Sequence, residues 1–264
     1  MIYPKLLSFL FRCRYGEVPE VAEGDASGLV LVAGGVGGAR LCEMGLRHVV
    51  GRGDGALLVR PVSWGHGFGR WHADLTDVAN HRAQAVAIAA QVVAWRDRYP
   101  GTPVTLVGKS GGCGIVVKAL EELPDDSVGG AVLLAPAVSP GYDLSRALRA
   151  VRGEMVVFWS PLDAVVLGAG TCLFKTTDRV RSVSAGMVGF RPPASPDGPG
   201  RSPYNRLRQV RWGPGTAASG HLGGHVGPDN PAFLRKYVVP LLIGATAPEM
   251  LNFPRDQGHP MPRR

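Results

Sequence analysis

The sequence predicts an α/β domain: a mostly parallel central sheet with helices on both faces. Three observations carry this. Short continuous apolar runs alternate with longer helix-like stretches, as strands buried on both faces do with their crossover helices. Glycine-rich turns follow two of the strand-like runs, at the sheet edge where parallel folds place their sites. The chain has 264 residues with 45% hydrophobic and 19% charged content, enough for a sizeable core in one large domain or two small ones and too apolar for a disordered chain.

In order, the strands read as Leu29–Ala33, Ala56–Arg60, Val104–Val107, Ala131–Leu134, Met155–Trp159 and Gln209–Trp212. A helix is expected over Arg40–Val50. A long one is expected over Thr76–Arg96, where Ala85, Ala89, Val92 and Val93 recur at helical spacing. Another begins after Ser110, a fourth covers Leu144–Arg149, and the last covers Pro231–Leu242, with Pro231 suited to a first turn. Residues 27–243 read as one domain, 1–26 as an N-terminal extension and 244–264 as a polar, proline-rich tail. The proline- and glycine-rich run Arg191–Arg201 reads as a surface loop inside the domain, expected to be mobile.

No apolar stretch approaches the ~20 residues that span a bilayer. The patch Leu6–Phe11 has no small-residue cleavage signature after it, so a cytoplasmic protein is expected, with a targeting or membrane-touching start as the alternative. Cys13, Cys42, Cys113 and Cys172 form no CxxC pair, so neither a zinc site nor a disulfide framework is indicated. The net charge is +8. Much of the excess lies from Lys175 to Arg211, where only Asp178 and Asp197 oppose it. That stretch lacks the interleaved aromatics of a base-stacking surface, so no nucleic-acid partner is expected. It reads as a solvated surface bordering a substrate entrance.

The most informative segment is Val104-Thr105-Leu106-Val107-Gly108-Lys109-Ser110-Gly111-Gly112. It is G-x-S-x-G between a strand and a helix. Such a turn holds a serine in a strained conformation with its hydroxyl projecting, and small neighbours let the chain fold back. The N–H of Gly111, at a helix N-terminus, then faces a developing oxyanion. A phosphate-binding loop competes for Gly108-Lys109-Ser110, but it needs glycine where Pro103 stands.

A serine nucleophile needs a base and a carboxylate to orient it, in the chain order serine, acid, histidine. Asp163, beyond the Met155–Trp159 strand, is the preferred acid and Asp143 the reserve. His221 and His225 both follow the last strand; His225 is preferred because it sits nearest the final helix between Gly224 and Gly227. As a metal pair the two lack a helix and a following glutamate. The second oxyanion donor is expected in Gly34-Gly35-Val36-Gly37-Gly38, from Val36. A dinucleotide fingerprint fails there because Arg40 stands where its third glycine belongs.

With these residues in place the chain resembles the α/β-hydrolase superfamily on its lipase/esterase side, over residues 27–243. The resemblance implies a Ser110–His225–Asp163 triad, an oxyanion hole from the Val36 and Gly111 amides, and no cofactor. It implies a small-molecule or lipid ester substrate, with amide or thioester cleavage by the same residues left open, as is a catalytically silent binding protein. Two features depart from the family. Gly34-Gly35 replaces a common His-Gly, and only about twenty residues separate Leu134 from Met155, which leaves no room for a large cap. Trp64, His66 and Phe68 form either an acyl-binding wall or a loop packed by its own tryptophans.

Overall fold

The computed structural model describes residues 21–38, 40–51, 56–193 and 202–243. The expectations on Leu6–Phe11, Cys13, most of Arg191–Arg201 and the tail lie outside these residues. Among the described residues six strands form one sheet: β1 (Gly28–Ala33), β2 (Leu57–Val62), β3 (Val104–Lys109), β4 (Gly130–Leu134), β5 (Met155–Trp159) and β6 (Leu207–Arg211). Their order is β2-β1-β3-β4-β5-β6, and every pair is parallel. β2 lies on one side of β1, and the chain then crosses to β3 on the other. The winding direction therefore reverses between β1 and β3, and a crevice opens at their C-terminal ends. Gly34–Gly38 and Ser110 stand there.

Alternate residues of the strands supply two cores. Leu29, Leu31, Leu106 and Leu133 pack under α2 (Val78–Arg98), α3 (Gly111–Glu121) and α4 (Ser145–Ala150). Val30, Val32, Val107, Val132 and Phe158 pack under α1 (Leu41–Val50) and the last helical run, α5, from Pro231 to Leu242. Both faces are thus covered, which is why the strands read as unbroken apolar runs. α5 contains a π-helical middle, Leu234–Val238.

The long helix differs from its expected form. A short helix over Trp71–Thr76 precedes α2, and the break falls at Asp77, whose carboxylate accepts the Asn80 N–H at 2.9 Å. The cap stops the two from merging. The buried stripe runs through His81, Ala85, Ile88, Ala89, Val92 and Trp95, so Val93 falls to its edge and is exposed.

The loop after β4 is short, as expected. The long excursion lies instead between β5 and β6, and its described part over residues 160–193 is seated on the body. Thr177, Ala185 and Gly186 donate to the carbonyls of Ala137, Val138 and Pro136 at 2.9, 2.8 and 2.8 Å. The Asp178 carboxylate takes the Ser139 N–H at 2.9 Å and the Ser139 hydroxyl.

The reading of Lys175–Arg211 as a solvated surface holds for Arg181, Arg191 and Arg211, which are exposed, and fails for other parts of the stretch. Thr176, Thr177 and Ser184 are buried. Arg206 binds the carbonyls of Arg149 and Val151 at 3.0 and 2.6 Å and pairs with Asp126 at 2.8 Å. Arg208 pairs with Glu154 at 3.6 Å, and Arg211 lies over the Trp159 ring. The opposing groups come from distant segments, which local charge counting does not see.

Candidate active site

Ser110 sits between β3 and α3 with φ 54° and ψ −119°. A non-glycine residue held at positive φ costs roughly 1–3 kcal/mol and persists only where its surroundings fix it. Here they do. Its N–H donates to the Leu134 carbonyl at 2.9 Å, and its carbonyl accepts from Cys113 and Ala137, both at 3.1 Å. The turn also requires close backbone approach. A methyl on Gly112 would stand 2.2 Å from the Ala33 carbonyl oxygen, and one on Gly108 2.6 Å from the Cys113 Cα. These two positions explain the glycines of the pattern.

The structure brings Ser110, His225 and Asp163 together. His225 Nε2 lies 3.0 Å from Ser110 Oγ, and His225 Nδ1 lies 2.6 Å from Asp163 Oδ2. Asp163 is 3% exposed and follows β5; His225 lies between β6 and α5. Burial pushes the His225 imidazolium below its ordinary range, the Lys109 ammonium adds to this, and the Asp163 contact opposes both.

His221 lies apart from this line. It is buried, accepts the Gly223 N–H on Nδ1 at 3.1 Å and packs edge-on to Phe233 at 5.0 Å. Burial, with Lys109 second, pushes its pKa down to about 4. Asp143 is also elsewhere. Its carboxylate accepts from the Ser145 N–H and the Tyr204 hydroxyl, both at 2.9 Å, at the start of α4.

Val36 and Gly111 are neighbours: a methyl on Gly111 would stand 2.6 Å from Val36 Cγ1. Gly111 is the first residue of α3, where no intrahelical acceptor reaches its N–H. The glycine loop is braced from two sides. Trp64 Nε1 donates to the Gly34 carbonyl at 2.9 Å, and the Gly37 N–H donates to Asp74 Oδ2 at 2.7 Å. Trp64 and Phe68 line a cavity of about 240 Å³ with Gly34, Gly35, Arg40, Glu43 and Asp74. His66 is not among its lining residues. The His66 ring is held by Asp74 and Asp77, each at 3.1 Å. Glu43 is buried in this lining with Arg40 at 3.2 Å. Burial raises its pKa to about 7 against the pull of that arginine.

Two charged residues here escape the sequence reading. In the sequence Lys109 fits only a phosphate loop; in the structure its buried ammonium donates to the His225 carbonyl at 2.8 Å. Asp74 carries no local signal, because its acceptor role is set by a fold contact with Gly37, 37 positions away.

No family model and no curated protein matches the chain by sequence. Among solved structures it is similar to a cutinase-like protein from Cryptococcus sp., at 13% identity over 87% of this chain and 100% of that one, with TM-score 0.45. It is also similar to an esterase from Pyrococcus furiosus, at 10% identity over 81% and 84%, again with TM-score 0.45. A Trichoderma reesei cutinase bound to a phosphonate inhibitor matches at 18% identity over 50% of this chain and 59% of that one, with TM-score 0.37. Likeness at this level says nothing of substrate, so the chemistry is read from the site itself.

Proposed function

We propose that the protein is a serine hydrolase that cleaves a carboxylic ester through an acyl-enzyme. The observation that carries the proposal is the unbroken line from Asp163 through His225 to a strained Ser110, at 2.6 and 3.0 Å. Ser110 Oγ attacks the carbonyl carbon and its proton passes to His225 Nε2. The carbonyl π pair moves to oxygen, opposite the Val36 and Gly111 amides. Collapse breaks the bond to the alkoxide, which leaves with the proton from His225. Water then repeats the sequence: His225 takes its proton, hydroxide adds to the acyl carbon, and the Ser110 bond breaks to release the acid. No step calls for a cofactor.

The surroundings favour an apolar substrate. Leu222 and Val226 flank His225 and are exposed, as are Phe68 and Trp71 beside the glycine loop. The phosphate-loop reading of Gly108-Lys109-Ser110 finds no support, because Lys109 is spent on the His225 loop.

The test is labelling with a fluorophosphonate probe together with turnover of short p-nitrophenyl esters. The wild type is expected to be labelled on Ser110 and to turn over. Ser110→Ala should fold normally, resist labelling and lose about three orders of magnitude in kcat. Unlabelled, inactive wild type would leave a hydrolase-fold binding protein as the better reading.

A further inference from the structure

We propose that Lys109 is a positioning residue for this reaction: its ammonium pins the His225 loop over Ser110 and sets the charge balance at the imidazole. The proposal rests on the serine-hydrolase reading above.

Lys109 is the last residue of β3 and shares the sheet face of Val107, which packs beneath α1 and α5. The His225 loop leads into α5, so the lysine side chain runs under that loop. It is 4% exposed. A leucine or methionine would fill the same space without removing a charge from water. Its Nζ donates to the His225 carbonyl at 2.8 Å and lies 3.5 Å from His225 Nε2, the nitrogen that faces Ser110. The Asp229 carboxylate faces this ammonium electrostatically, and among the described residues its direct contacts are both to His225. A buried cation whose direct contacts are the carbonyl and the imidazole of one histidine marks a functional position more than a structural one.

The groups around His225 fall into two sets. Asp163 holds Nδ1, and Asp229 acts from the turn just after the histidine; both favour the imidazolium. Lys109 opposes them from β3. Beyond these, Cys42 and Glu43 on α1 face Asp229, and His221 in the same loop also feels Lys109. The lysine therefore keeps His225 neutral to lower pH. It also makes the imidazolium, once formed, a better donor to the leaving alkoxide. Holding the carbonyl of the same residue fixes the distance across which that proton moves.

The experiment compares wild type with Lys109→Met, Lys109→Gln and Lys109→Arg. It reads the His225 ring by NMR titration of ¹⁵N-histidine protein and kcat on a p-nitrophenyl ester across pH. Methionine removes charge and donor, glutamine keeps a donor, and arginine keeps the charge. The His225 midpoint is expected to rise by about half to one pH unit in the methionine and glutamine variants and to stay near wild type in the arginine variant. In Lys109→Met, kcat should fall about tenfold, and Lys109→Gln should regain about a third of the loss through its amide donor.

An unchanged midpoint in folded Lys109→Gln would overturn the electrostatic role, whether or not Lys109→Met folds. Equal kcat in wild type and Lys109→Met would overturn the positional one. If wild type neither turns over nor labels, the hydrolase reading falls and takes the catalytic role with it. The midpoint still decides whether Lys109 sets the charge of His225.

Discussion

The two histidines of one loop differ in what their rings touch. His225 has both ring nitrogens engaged, with Asp163 on one side and Ser110 on the other. His221 has turned inward, its Nδ1 spent on the Gly223 N–H and its ring against Phe233. Glycine neighbours pointed to a histidine that reaches over the sheet edge, and they pointed to His225. They did not show that His221 is buried, because that depends on Phe233 arriving from α5. His225→Ala should therefore cost about three orders of magnitude in kcat, while His221→Ala keeps most of it and loses stability. An inactive His221→Ala beside an active His225→Ala would reverse the assignment.

The pH profile adds a sign. In the proposed mechanism catalysis needs neutral His225, whose pKa burial holds below the ordinary 6.5. kcat/KM should hold as pH falls past that value and drop only below it. An acid limb centred above 6.5 in the wild type would contradict the burial and the lysine contact.

At the level of elements, the glycine loop after β1 matters through what holds it. Asp74, in the short helix before α2, accepts the Gly37 N–H at 2.7 Å and the His66 N–H at 2.6 Å. It is 1% exposed and also holds the His66 ring at 3.1 Å, so its contacts fix the loop against the start of the helix. Asp74→Ala leaves both N–H groups without their acceptor, at roughly 1–3 kcal/mol each where water cannot replace it. The expected result is a lower Tm together with a fall of about ten- to a hundredfold in kcat, KM changing less, because the donors proposed to face the oxyanion lose their placement. A drop in Tm with unchanged kcat would make Asp74 a purely structural brace.

The loop itself was legible as glycines after an apolar strand, and the serine turn as G-x-S-x-G in its strand-to-helix setting. Asp74 was not, since it looks like any polar residue of an amphipathic stretch. The break at Asp77 was missed for a related reason: helical periodicity continues across it, and only the cap separates the two helices.

Across the whole molecule, the parallel core was readable because strands buried on both faces are apolar without interruption, and β3, β4 and β5 lie within two residues of their expected bounds. The excursion between β5 and β6 was not. It packs through backbone hydrogen bonds to the loop after β4 and through scattered apolar side chains, Leu167, Ala185 and Phe190, which leave no periodic hydrophobic pattern. Its arginines read as surplus charge, yet several are braces. Arg206 donates to carbonyls at the end of α4, which lack N–H donors within the helix, and adds Asp126. It thereby ties the entry to β6, an edge strand, onto the neighbouring layer. Its side chain is 35% exposed, so water screens part of this, and Arg206→Gln should cost about 1–2 kcal/mol in urea unfolding. If these side chains brace the fold, they do not steer substrate. kcat/KM for an anionic and a neutral p-nitrophenyl ester should then respond alike to salt from about 0.02 to 0.5 M, in wild type and in Arg206→Gln. A steep loss for the anionic ester alone, abolished together with Arg206, would return this stretch to the role of an electrostatic entrance.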